Sequence, residues 1–96
     1  MRPVIGAALI AGCTAFATAA HAQPGEKVAK SKGCFNCHAV DQKKMGPSFN
    51  EIATKSKGNS NAEAQLTAML KNAKGHPKVA LSDAEAKAVV QYVLKQ

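Results

Sequence analysis

Cys34-Phe35-Asn36-Cys37-His38 is the stretch around which the other residues have to be arranged. C-x-x-C-H is the attachment signature of a c-type haem. On one helical turn, positions i and i+3 share a face, so the thiols of Cys34 and Cys37 can both reach the vinyl groups of a single porphyrin. His38 then falls beneath the ring, where its imidazole is well placed to bind iron from the proximal side. Two other chemistries use paired cysteines. A redox dithiol wants a βαβ pattern nearby, and the sequence has none. Structural zinc wants four separate ligands. Outside the motif, residues 23–96 offer only His76 as a further His or Cys, and adjacent Cys37 and His38 make a poor pair for one tetrahedral ion.

The chain has 96 residues, enough for one domain. Residues 1–22 read as a secretory signal peptide: Arg2 gives a positive start, Val4 to Ala20 is an almost uninterrupted apolar run, and Ala20-His21-Ala22 is a cleavage site before Gln23. As a membrane anchor the run is marginal in length, largely Ala, and followed by no basic stop-transfer cluster, so the mature chain 23–96 is expected to have no membrane span. Ile10-Ala11-Gly12-Cys13 resembles a bacterial lipoprotein box. It comes early, however, and more apolar sequence follows instead of a polar tether, so lipid anchoring at Cys13 is not expected. The expected location is the periplasm, which suits a haem that is attached outside the bacterial cytoplasm.

A mature chain of this size is short of core-forming residues, and domains so small usually need a covalent or metal staple. A haem held by two thioethers and an axial bond would supply one. With Arg2 in the leader, twelve Lys face six acids in the mature chain, a balance of +6.

The remaining segments read as helices, with no strand alternation and no repeat. Pro24 to Ser31 is the first, with Pro near its first turn. Gly33 breaks the pattern before Cys34. Asp41 to Pro47 is a loop ending in a turn, and Ser48 caps a short helix through Lys55. After the turn-rich Lys57 to Asn61, Ser60 with Glu63 predicts a capping box and a helix carrying Leu66, Met69, Leu70 and Ala73, which stops near Lys74-Gly75. Pro77 keeps His76 extended. Ser82 with Glu85 predicts a second capping box and a last helix whose Ala86, Val89, Val90, Val93 and Leu94 recur at helical spacing. The fold class is therefore all-α, with four or so helices wrapped round one covalently attached haem c.

With these elements in place, residues 23–96 resemble the class I c-type cytochromes, most closely the short bacterial ones. The segment from Lys30 to Asp41 looks like that family's first helix and haem site, and Tyr92-Val93-Leu94 like the aromatic end of its closing helix. Met45-Gly46-Pro47 resembles its proximal loop. The resemblance implies that the Pro47 carbonyl accepts a hydrogen bond from the second nitrogen of the His38 imidazole. It also implies a pocket lined by Phe49, Ile52, Leu66, Leu70, Val79 and Leu81. One departure matters. The family carries its distal Met, usually before a Pro, in a long loop between the last two helices. Here that loop is cut to residues 74–81 and holds no Met. His76 occupies the slot before Pro77, so the resemblance implies bis-histidine ligation, with Met69 as the alternative ligand and an open or exchangeable site as a third arrangement. Met45 is expected to pack against the underside of the haem.

The expected function is that of a single-electron carrier of low potential. Its alternative is a haem-based ligand-binding or sensor protein in which His76 dissociates. An enzyme is not expected, since the mature chain has no Arg to complete a peroxidase-like distal pair. The lysines around His76, namely Lys71, Lys74 and Lys78, with Lys43 and Lys44, point to acidic redox partners docking at a basic haem edge. Export and a shortage of aromatics argue against nucleic acid. A monomer is expected.

Overall fold

The computed structural model describes residues 24–96, together with Gly12. The signal peptide expected over 1–22, including Cys13, lies outside the described residues apart from Gly12. Four helices follow one another without strands among the described residues: α1 Pro24–Ser31, α2 Phe49–Lys55, α3 Ala62–Asn72 and α4 Asp83–Leu94. A short 3-10 turn over Cys34–Asn36 lies between α1 and α2.

The helix starts are set by side chains that satisfy orphan N–H groups. Ser48 Oγ accepts the Glu51 amide at 3.1 Å and opens α2. At α4 the capping box is complete: Ser82 Oγ accepts the Glu85 amide at 3.1 Å, and a Glu85 carboxylate oxygen accepts the Ser82 amide at 2.9 Å. The capping box predicted at Ser60 and Glu63 does not form. Asn59 Oδ1 instead accepts the Asn61 amide at 3.0 Å, an Asx-turn that carries the chain one residue further before the helix begins. α3 therefore starts after Asn61, which makes no side-chain cap bond. It also ends earlier than its periodicity suggests, because Ala73 turns left-handed at φ 52°.

α4 is the element on which α1, α2 and α3 all pack. Its contact with α1 is close because Gly25 has no side chain. A β-carbon there would collide with the Ala88 carbonyl and lie 2.6 Å from Tyr92 Cβ. Ala29, Phe49, Val89, Tyr92 and Val93 form the buried cluster, joined at its margin by half-buried Val28, Cys34, Phe35, Val40, Ile52 and Leu70. Phe49 meets Tyr92 edge to face, with centroids 5.9 Å apart. Burial of Tyr92 pushes its phenol pKa up, and the nearby Glu26 adds to the effect. Each fully buried Val or Phe side chain contributes about 1.5–3 kcal/mol. The i,i+4 pairs Glu26–Lys30 and Glu51–Lys55 lie at the surface and add only tenths.

Candidate haem site

Gly33, at φ 78°, takes the left-handed conformation that ends α1 and turns the chain into Cys34. The turn is tight: the Asn36 amide donates to Gly33 O at 3.0 Å, and the Cys37 and His38 amides both donate to Cys34 O, at 3.2 and 3.0 Å. The thiols of Cys34 and Cys37 are free and half-buried. Burial pushes the Cys34 thiol pKa up, although a backbone hydrogen bond pulls it part of the way back.

The loop after His38 folds back over this turn. The Gly46 amide donates to Cys37 O at 2.7 Å, and the Phe49 and Asn50 amides donate to Ala39 O and Val40 O, each at 2.9 Å. These bonds lay Gly46 against the His38 ring, where a β-carbon would come within 2.5 Å of Cε1. His38 Nδ1 sits 2.6 Å from the Pro47 carbonyl oxygen. A carbonyl can only accept, so Nδ1 carries a proton and donates this bond. Phe49 supports the ring from within the core, its centroid 5.3 Å from that of His38 and its plane 24° away.

His76 comes from the other side of the molecule's sequence, on a segment of different character. Ala73 and Gly75 are both left-handed, at φ 52° and 74°. Residues 73–75 form a turn after α3, and 77–81 belong to no helix or turn. Even so, the imidazole is held as His38 is: its Nδ1 lies 2.8 Å from a proline carbonyl oxygen, that of Pro77, which leaves Nε2 bare. The two imidazole rings lie with centroids 6.1 Å apart and planes 6° from parallel.

This donor set fits a haem. Two unpaired thiols lie on one turn, and two imidazoles whose Nδ1 atoms are each held at a proline carbonyl lie 6.1 Å apart. The apolar residues named for the pocket are only partly covered by protein: Phe49 is buried, whereas Ile52, Leu66, Leu70, Val79 and Leu81 are half-buried. Met69, the alternative ligand, is half-buried on α3. Met45 is 86% exposed, its sulfur 4.0 Å from Cys37 Sγ, on the turn closed by the Lys44 amide and Gly46 O.

Two features escaped the sequence. Phe35, between the two cysteines, packs edge-on to Phe49 at 5.5 Å. Lys44 folds back so that its Nζ donates to Phe35 O at 2.9 Å. Among the basic residues expected near His76, Lys71 is paired with Asp83, while Lys43, Lys74 and Lys78 make no ion pair among the described residues.

The family model for cytochrome c matches residues 22–96. Cytochrome c-551 of Pseudomonas aeruginosa is 37% identical over 103 aligned positions, covering 100% of this chain and 99% of that protein. Among solved structures, the N64Del mutant of Nitrosomonas europaea cytochrome c552 superposes with a TM-score of 0.65 at 33% identity, over 72% of this chain and 95% of that one. Class 1 cytochrome MtoD from Sideroxydans lithotrophicus ES-1 gives a TM-score of 0.64 at 26% identity, over 75% of this chain and 91% of that one.

Proposed function

The chain belongs to the cytochrome c family, whose members carry one covalently attached haem c and act as electron carriers rather than enzymes, and from that premise we propose a periplasmic, low-potential carrier with two histidines on its iron. When bound, the haem supplies a reversible one-electron couple at iron. Cys34 and Cys37 would hold it through thioethers, with His38 and His76 as the axial ligands. The observation that carries this reading is the pair of parallel imidazoles 6.1 Å apart. Both tautomers favour the same conclusion, since each Nδ1 is committed to a proline carbonyl.

The side chains then divide the work. With His38 and His76 both holding the iron, no iron position would be left for a substrate, so the site would be suited to moving electrons. Ile52, Leu66, Leu70, Val79 and Leu81, with Phe49 and Pro47, keep water from the ring and so help to set the potential. Met with His raises a cytochrome's potential, and a second imidazole in place of Met leaves it lower. The leader-like residues 1–22 support export to the periplasm. The ligand-binding or sensor alternative is not favoured, because the similar proteins are named as cytochromes c.

The test is an optical and EPR spectrum of both oxidation states. A low-spin ferric form lacking the far-red sulfur-to-iron band is expected, and the near-parallel imidazole planes should make its EPR signal rhombic. His76→Ala should become high-spin and take up added imidazole. A spectrum unchanged in His76→Ala but altered in Met69→Ala would overturn bis-histidine ligation. Haem should survive denaturing electrophoresis in the wild type and be lost in the Cys34→Ala, Cys37→Ala double variant.

A further inference from the structure

We propose that Lys44 is a positioning residue that clamps the haem-attachment turn and holds a positive charge beside it; the proposal rests on the haem reading of the site. The turn over Cys34–Asn36 ends because the chain leaves helical geometry at His38. A continuing helix would present the Ala39 amide to Phe35 O, but that amide makes no such bond, and no backbone N–H reaches Phe35 O among the described residues. Phe35 O is thus an orphan carbonyl at the C-terminal end of a helical turn, the position where a lysine side chain is most useful as a donor. The ammonium of Lys44 fills it at 2.9 Å.

The reach is not accidental to the loop. The Lys44 amide donates to Gly46 O at 3.1 Å, and the Gly46 amide donates to Cys37 O at 2.7 Å. Backbone and side chain of Lys44 therefore tie the same loop to the turn, the backbone through Gly46 at Cys37 and the side chain at Phe35. Two consequences follow for the site. The turn that carries both thiols and His38 loses freedom to rotate. A cation held there favours the iron state of lower positive charge, the reduced one, so it raises the potential. Lys44 is exposed, so salt should weaken the second effect. Its ammonium is also bonded to the turn, unlike that of Lys43, which makes no side-chain hydrogen bond or ion pair among the described residues and is the natural control for charge alone.

The experiment compares the wild type, Lys44→Met, Lys44→Arg and Lys43→Met as purified holoproteins. Lys44→Met should have a lower reduction potential than the wild type, with the difference shrinking as salt is added. Lys44→Arg should keep most of the wild-type value, and Lys43→Met should shift it less than Lys44→Met. Amide exchange at Cys37 and His38 should speed up in Lys44→Met alone by roughly three- to tenfold, the worth of one net hydrogen bond. Equal potentials in the two Met variants, or unchanged exchange in Lys44→Met, would overturn the clamp. Covalent haem is scored separately on denaturing gels, so its absence from the wild type would overturn the haem reading, whereas the exchange rates judge the clamp.

Discussion

Gly46 and His38 touch without room to spare. A β-carbon at position 46 would stand 2.5 Å from Cε1 and 2.9 Å from Nδ1, closer than such atoms approach, and the loop is pinned on both sides by its bonds to Cys37 and Lys44. Gly46→Ala must therefore move the ring or the loop. We expect a loss of about 1–3 kcal/mol in thermal or denaturant unfolding, together with a weakened His38 to Pro47 contact seen as a changed imidazole resonance. An unaltered melt would mean that the loop yields freely. At this scale the sequence was legible where spacing is local. Cys34, Cys37 and His38 are read from five consecutive letters, and the Pro47 carbonyl stands 2.6 Å from His38 Nδ1 where the family resemblance put a partner. Lys44 on Phe35 O and Phe49 on His38 were not legible, since both depend on the path the loop takes back over the turn.

Helix ends show how narrowly capping chemistry decides an element. Ser82 and Glu85 make both bonds of their box, and the Ser82 amide is the main reason that the Glu85 carboxyl lies below the usual carboxylate range, with the Ser82 side chain and Lys32 adding to it. A carboxyl depressed on folding adds stability above its unfolded pKa and loses it as the pH falls through the folded one. Acid should thus loosen the start of α4, and Glu85→Gln should be less stable than the wild type at neutral pH yet lose less on acidification. Parallel slopes of melting temperature against pH would contradict this. Ser82→Ala should cost about 1 kcal/mol, the ordinary worth of an N-cap. The same letters at Ser60 and Glu63 failed because the helix starts one residue later, after an Asx-turn in which Asn59 Oδ1 accepts the Asn61 amide. A local rule read from spacing cannot foresee that shift of the N-cap. The lengths of α1 and α4 were clear in advance because Pro24, Gly33 and Ser82 punctuate them.

For the whole molecule, charge and connectivity matter more than any one contact. Twelve Lys against six acids leave residues 23–96 strongly basic. Some of that charge is spoken for, by Glu26, Glu51, Glu85 and Asp83. Lys74 and Lys78 flank His76 and make no ion pair among the described residues, so they are the charges expected to steer an acidic redox partner. Electron exchange with such a partner should slow as ionic strength rises, because salt screens charges beyond about 8–10 Å. Lys74→Glu with Lys78→Glu should slow it further and flatten the salt dependence. A rate indifferent to both would leave these lysines as mere solvation. The same two residues sit in or beside the stretch that links α3 to α4, of which 77–81 belong to no helix or turn, whereas the loop after His38 is tied at Cys37, Ala39 and Val40. Segments so held open first and most often, and they are where a protease enters. Brief trypsin treatment should therefore nick the chain after Lys74 or Lys78 before it cuts inside the helices, and mass spectrometry would locate the cut. The fragment bearing α4 should nevertheless stay with the rest after the cut, because α4 remains wedged against α1 at Gly25.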